Sequence, residues 1–436
     1  MLHVSSTANN PTTGPGPTGP AKPTNTTIAA DTRGDAASPT PTVTPASSAQ
    51  SRYEYWAALT ALVLVSVGFG AISPSLSTIL SELAVTASVG SLLVSALGAG
   101  RLFGGFPAGM VVSRIGPGRV ILLGCAVFVV GSIVAWAAPA FAVLAVGRLI
   151  QGIGLGIVPA GVLAGMMAGA KAERAGGSMA LYQSALTLGG ALGPAVGGPL
   201  AEQFDWRAAL LFCIGAGILA ISLAVPLAKA VPRRAAGPTQ PRDRLGWTAA
   251  AAIMLVLLPH IATFVFRMSF AQLVLPLYAS GPASLDPTTI GLLLGTQSVM
   301  ALVMMGPAGW ATNRFGVRPV VGVALVVTSA TVALVPFMPV PYGLWLAVIA
   351  FGGGLAVLGV ASGLFIFTLE GYSTGALVGI YRLSGDLAQV FGPVVFGAVL
   401  DGLGFGASFG LMAAFGMLAA VSVLVRVGRP QPAADA

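Results

Sequence analysis

The chain has 436 residues, 56% of them apolar and only 8% charged, with a net charge of +8 and a mean hydropathy of +0.89. A water-soluble domain devotes about a quarter of its residues to charge, so 21 basic and 13 acidic groups are too few to coat a soluble particle of this length. A soluble enzyme, a disulfide-framed secreted domain and a nucleic-acid-binding protein are excluded, and lipid is expected as the main solvent.

Residues 1–52 are Pro, Thr, Ser, Gly, Ala and Asn with almost no bulky apolar groups. Such a segment cannot bury enough surface to offset its chain entropy, and a disordered cytoplasmic tail is expected. No apolar core for a cleavable signal peptide occurs in its first thirty residues. From Tyr53 onward the chain is a series of apolar runs, each of the roughly 20 residues that a helix needs to cross a bilayer. They fall at 54–80, 88–112, 118–138, 141–169, 176–201, 206–228, 247–279, 286–311, 317–338, 341–369, 373–401 and 404–427. A Pro- and Arg-rich break at 229–246 reads as a cytoplasmic linker between a six-helix bundle at 53–228 and a second at 247–428, followed by a short tail at 429–436. The fold class is therefore all-α, with twelve transmembrane helices in two bundles.

Orientation follows from the loops, because lysine and arginine are retained on the cytoplasmic side. With the N-terminus inside, that side holds sixteen basic residues, among them Arg52, Arg114, Arg119, Lys171, Arg174, Lys229, Arg314, Arg318 and Arg426, and the opposite side holds only Arg207. Both termini are thus expected in the cytoplasm, in a plasma membrane. The other side leans acidic, with Glu82, Glu202, Asp205, Asp286 and Asp401.

Sliding the second half onto the first exposes a repeat near 200 residues. Gly109, Ser113, Arg114 and Gly116 return as Gly309, Asn313, Arg314 and Gly316, and Gly152 and Gly154 return as Gly352 and Gly354. Tyr182 followed by Gly193-Pro194 returns as Tyr381 followed by Gly392-Pro393, and Pro74 returns as Pro276. A constant offset across different patterns implies two related bundles, the architecture transporters use to rock around a central site.

The residues around Gly109 to Arg119 are similar to the cytoplasmic loop signature of the major facilitator superfamily, and Arg148-Leu149-Ile150-Gln151-Gly152 resembles its fourth-helix motif. Gly189, Gly193, Pro194, Gly197 and Gly198 match the fifth-helix motif associated with its drug:proton antiporters. The resemblance covers all twelve spans. It implies alternating access, with Arg148 in proton coupling and the loop and fifth-helix motifs in gating. The family's loop signature carries Asp where this chain has Ser113 and Asn313, which can cap a helix by hydrogen bonding but without charge. Many cation exporters of the family place an acid in the first span, and none occurs between Tyr55 and Leu80.

Ionisable groups inside the bilayer cost about 2.5–3.5 kcal/mol each at a helix centre, so each invites a functional reading. Arg101, Arg148, Arg267 and Arg382 lie well within spans, and Asp386 is the acid near the middle of one. Arg382 and Asp386 are one turn apart and can pair, while their repeat equivalents, Gln183 and Thr187, are neutral. His260, Phe264 and Arg267 fall on one helical face at i, i+4 and i+7. Proton coupling is therefore assigned to Asp386, Arg382, Arg148 and His260. A substrate pocket is assigned to Arg101, Arg267, Phe264, Gln297 and Gln389, with Phe69, Tyr278, Met300 and Phe365 as further aromatic or thioether wall. Each group has a plainer reading as a buried strut or packing contact. Gly189, Gly193 and Gly197 share one helix face, where they serve either as a hinge or as static packing.

A phosphate-binding Gly-x-x-x-x-Gly-Lys loop, a zinc-protease helix and a paired-Asp site are all missing, so no enzyme, cofactor or metal is expected. Cys125 and Cys213 are too few and too far apart for a metal or disulfide framework. The expected function is proton-coupled efflux of small amphiphilic organic compounds, by a monomer whose partners are the bilayer, the cargo and protons. A proton-coupled importer of a small organic anion is the alternative, since four intramembrane arginines face one aspartate. A non-transporting membrane sensor on the same fold is the third reading.

Overall fold

The computed structural model describes residues 48–169, 175–229, 247–365 and 374–424. Most of the expected N-terminal tail, the linker, the C-terminal tail, and the loop residues Lys171 and Arg174 lie outside the described residues. In hydrocarbon every backbone N–H and C=O has to be satisfied within the chain, and long apolar runs meet that demand as helices. The first half contains α1 (Ser48–Ser66), α2 (Leu76–Glu82), α3 (Ala87–Ile115), α4 (Pro117–Trp136), α5 (Phe141–Gly169), α6 (Ala175–Gln203) and α7 (Trp206–Lys229). The second contains α8 (Trp247–Val265), α9 (Leu275–Ser280), α10 (Pro287–Phe315), α11 (Val317–Leu334), α12 (Tyr342–Phe365) and α13 (Thr374–Leu424).

Ten stretches among the described residues are long and apolar enough to span a membrane. Gly404, at φ 79° and ψ −177°, divides α13 into two helices close to the break expected from the sequence. The glycine-rich α6, 29 residues long, completes a set of twelve. The first and seventh spans are each made of two shorter helices joined by a distorted middle. Turns of 3-10 helix at Val67–Phe69 and Ser73–Ser75 separate α1 from α2, and a π-helical stretch at Phe266–Val274 separates α8 from α9.

The repeat is visible at atomic detail. The helices α3 and α10 are each 29 residues long, and each ends on a glycine of nearly the same geometry, Gly116 at φ 86°, ψ 156° and Gly316 at φ 88°, ψ 158°. A side chain other than glycine is strained there. Gly152 packs α5 on the Leu97 carbonyl of α3, and Gly352 packs α12 on the Gln297 carbonyl of α10; in either case an added Cβ would collide with the oxygen. Gly154 likewise meets the Gly124 and Phe128 backbone of α4, and Gly354 the Thr328 side chain of α11. Small residues allow such approach where lipid gives no hydrophobic drive between helices.

Between the bundles α3 packs on α13 and α6 on α10. One end of the molecule, the carboxylate end, carries Glu82, Glu202, Asp205, Asp286 and Asp401; the other, the arginine end, carries Arg114, Arg119, Arg314 and Arg318. At the carboxylate end a Cβ on Gly198 would lie 3.1 Å from the Gly291 Cα, and one on Gly397 would lie 2.7 Å from the Ser91 Cβ. Toward the arginine end Gly109, Gly306 and Gly309 have no such neighbour within 4 Å.

Gly152→Val and Gly352→Val should therefore each lower stability by on the order of 1–3 kcal/mol or more through overpacking. Gly309→Ala, with open space around it, should stay near wild type. Thermal unfolding of the purified protein in detergent checks all three, and equal tolerance of the three would contradict the packing.

Candidate functional site

The break in the first span frees a backbone carbonyl that a side chain then satisfies. The Gly68 carbonyl accepts a hydrogen bond from Arg148 Nη1 at 3.0 Å. The same guanidinium donates to Gln151 Oε1, Gln151 Nε2 donates to Ser132 Oγ at 2.9 Å, and Ser132 Oγ donates to the Phe128 carbonyl at 2.8 Å. Arg148 is 2% exposed, and its Nε has no hydrogen-bond partner among the described residues. Gly68 has to be small, because a Cβ would press on the Phe128 ring. Across the bundle interface Ser73 Oγ donates to Gln272 Oε1, joining the two interrupted helices at repeat-related positions.

Two guanidiniums converge on one aromatic ring. Arg101 Cζ lies 5.3 Å and Arg267 Cζ 5.4 Å from the centre of the Phe69 ring, within cation–π range. Arg101 Nη1 also donates to Gln389 Oε1 at 2.8 Å, and Gln389 Nε2 donates to Asp386 Oδ1 at 3.3 Å. A neutral amide thus joins a cation on α3 to a carboxylate on α13, its carbonyl accepting and its NH2 donating. Among the described residues the ion pairs within 4 Å are those of Arg207 with Glu82 and Asp205. Arg382 and Asp386, placed one turn apart by the sequence, do not close into such a pair. The Arg382 guanidinium reaches toward Gly105 of α3, where an added Cβ would lie 3.4 Å from Nη2. Tyr182 stands within electrostatic reach of both Arg382 and Arg101.

The remaining candidates separate into different surroundings. The His260 ring stacks on Tyr381 with centroids 3.5 Å apart and meets Phe264 edge-on at 4.9 Å, all within the second bundle. An added Cβ at Gly385 would sit 2.7 Å from His260 Nε2, and His260 Nδ1 has no partner among the described residues. Arg267 instead reaches Phe69 of the first bundle, because the helix changes to π geometry at Phe266 and the single α-helical face does not continue. Tyr278 belongs to an aromatic cluster with Phe405 and Phe409, at 5.5 and 5.2 Å. Gln297 is buried beside α12, its Oε1 unpartnered among the described residues. Met300 is partly buried on α10, and the Phe365 side chain lies outside those described. A narrow cleft at the break is lined by Phe69, Ser73, Leu97, Arg148, Met268 and Gln272, among others.

The glycine motif of α6 packs against the broken first span. An added Cβ at Gly189, Gly193 or Gly197 would collide with the carbonyl of Val63, Val67 or Ala71 in turn. Pro194 and Gly198 face α10, where Gly291 meets the Pro194 carbonyl and Gly198 the Pro287 carbonyl. At the arginine end Ser113 Oγ donates to the Met110 carbonyl of its own helix at 2.8 Å, so it is turned back on α3. Arg114, Asn313 and Arg314 are exposed there. Ser73, Gln272 and Tyr182 were not among the residues expected. The signal for the first two was available, since they are polar residues of repeat-related spans 199 residues apart, Ser73 next to Pro74 and Gln272 one turn before Pro276.

The model described as Major Facilitator Superfamily matches residues 58–280 and again 260–436. An uncharacterized MFS-type transporter of Mycobacterium tuberculosis is 27% identical over 332 residues, covering 73% of this chain and 44% of the relative, so the chain spans less than half of that protein's length. The Multidrug efflux pump LfrA of Mycolicibacterium smegmatis is 34% identical over 128 residues, covering 29% of this chain and 24% of the pump. Among solved structures, a D-xylose-proton symporter superposes with a TM-score of 0.68 at 16% identity, covering 85% of this chain and 97% of the symporter. The human organic anion transporter TETRAN gives 0.61 at 20% identity, covering 86% and 99%.

Removing the Arg148 guanidinium strands the Gly68 carbonyl and Gln151, which costs about 1–3 kcal/mol per buried group left unpaired. Arg148→Met and Gln151→Leu should each destabilise, and the double variant should lose clearly less than the two losses added, since the groups share one network. A double-mutant cycle on thermal or denaturant unfolding reads this; strict additivity would refute the network.

Proposed function

Because the chain belongs to the Major Facilitator Superfamily of membrane transporters, we propose that it exports small amphiphilic organic compounds in exchange for protons. It is a multi-pass transporter and not an enzyme. The observation that carries the proposal is the Arg101–Gln389–Asp386 chain across the bundle interface. Ionised, Asp386 accepts from the Gln389 amide, which presents its carbonyl to Arg101. Protonated, it loses charge and acceptor strength, and the tie between α3 and α13 slackens. A cargo that needs the ionised carboxylate competes with the proton through linkage, the condition for exchange. The identity shared with the Multidrug efflux pump, and 33% identity over 125 residues with the Methylenomycin A resistance protein of Bacillus subtilis, support efflux. The arginine end is read as cytoplasmic, from the retention of basic residues on that side of a plasma membrane, and one chain as the working unit.

A specific observation favours a second reading. Arg101 and Arg267 both sit over Phe69, and Arg148 lines the adjoining cleft, so guanidiniums outnumber carboxylates at this site. An organic anion is drawn to such a site. Bound near Asp386, it raises the affinity of that group for a proton, which couples the two in the same direction, as in symport.

Proteoliposomes with an imposed proton gradient and an internal pH dye separate the readings. Lipophilic cations and neutral drugs should dissipate the gradient in wild type, and Asp386→Asn should reduce that flux at least about tenfold, as expected for a group whose charge change is the coupling step. Proton entry together with added organic anions would move the assignment to symport. Proton flux unaltered by Asp386→Asn would remove this residue from the mechanism, and no flux with any compound would favour a non-transporting sensor.

A further inference from the structure

At the carboxylate end each bundle supplies part of a helix cap to the other. Thr86, the N-cap residue of α3, meets the Ser88 hydroxyl at 2.9 Å but accepts from no backbone N–H of the first turn. Asp401 of α13 takes that place, accepting from the Ala87 N–H at 3.1 Å and the Ser88 N–H at 2.8 Å. At the repeat-related position α10 carries its own cap, Asp286, which accepts from the Thr289 N–H at 2.7 Å. Glu202 of α6 then adds a bond from the other bundle, accepting from the Thr288 N–H at 3.1 Å. Glu202 and Asp401 are themselves separated by the repeat offset, and both are exposed. First-turn N–H groups have no partner inside their helix and carry the positive end of its dipole. A carboxylate from another body is therefore held there by hydrogen bonding and by charge. The contacts of Gly198 with Gly291 and of Gly397 with Ser91 bring the bundles close enough for both acids to reach.

We propose that Glu202 and Asp401 are paired gating residues: they latch the carboxylate end shut by capping helices of the opposite bundle, and they release α10 and α3 each time that end opens. The two caps are related by the internal repeat, so opening breaks both together and leaves the first-turn N–H groups of α3 without a side-chain acceptor. The cycle in which the latch works rests on the transport reading above, but the latch itself belongs to the resting chain and is measured without cargo.

Spin labels on Phe204→Cys and Leu403→Cys, exposed repeat-related positions beside the two acids, report the separation of the bundles at this end. The protein is taken in lipid nanodiscs with Cys125 and Cys213 replaced by Ala. The parent should give a short distance. Glu202→Met combined with Asp401→Leu, which removes both acceptors, should enlarge the long-distance population on the order of tenfold in a protein that still unfolds cooperatively. Exchanging the acids, Glu202→Asp with Asp401→Glu, should keep most of the short population. Glu82→Met should leave the distribution unaltered, because Glu82 bonds Trp206 and Arg207 within its own bundle. An unchanged distribution in the acceptor-free variant overturns the latch, as does equal widening with Glu82→Met or with the exchanged acids. A shifted distribution in a protein that transports nothing supports the latch and sinks the transport reading. An unshifted one in an active transporter does the reverse.

Discussion

A helix that breaks inside a membrane has to find new partners for its backbone, and this constraint organises the centre of the molecule. The first span breaks at Val67–Ser75 and the seventh turns π-helical at Phe266–Val274. Arg148 answers the first break by donating to the Gly68 carbonyl, with Gln151 and Ser132 carrying the network to the Phe128 backbone. The glycines of α6 press on carbonyls before and within the same break. Irregular backbone at membrane depth is tolerated where protein or a cavity surrounds it, and here it borders the interface between two bundles. The break therefore also sets Phe69 where Arg101 and Arg267 can both reach it.

Charge at that centre is arranged by intermediaries. Direct burial of an arginine with an aspartate would neutralise both in a fixed pair, and much of their attraction would go to offsetting desolvation. Gln389 keeps Arg101 and Asp386 associated without fusing them into an ion pair. Arg267 rests on a ring face, a contact weaker than an ion pair and easier to exchange. Such a set of half-satisfied groups is costly to maintain for stability alone.

Most of the architecture could be read from the sequence because membrane length and repetition are strong signals. Span boundaries, the division near Gly404 and the shared geometry of Gly116 and Gly316 all follow from apolar run length and a constant offset. The Gly152 and Gly352 repeat proved to be packing, each glycine admitting the neighbouring helix backbone. What could not be read were contacts between spans far apart in sequence. A one-turn spacing makes Arg382 and Asp386 look like partners, yet the groups that reach Asp386 include one on α3, through Gln389. A strict α-helical period puts His260 and Arg267 on one face, but the π segment that starts at Phe266 sends Arg267 to the first bundle while His260 stacks on Tyr381. Glu202 and Asp401 entered the sequence reading only as loop charges, although their separation already matched the repeat.

The two ends of the interface are built with different strength, and this sets a direction. At the arginine end the positions where related loops carry Asp hold Ser113 and Asn313, and Ser113 spends its hydroxyl on its own helix. At the carboxylate end full charges sit on the N-termini of α3 and α10 from across the interface. A charged cap interacts with the helix dipole as well as with the N–H groups, whereas a hydroxyl or amide offers the hydrogen bond alone. The conformation closed at the carboxylate end is thus favoured by the residues of both ends at once. Opening that end has to overcome these caps, and Asp401 sits on α13, the helix that also carries Asp386 and its link through Gln389 to Arg101 of α3.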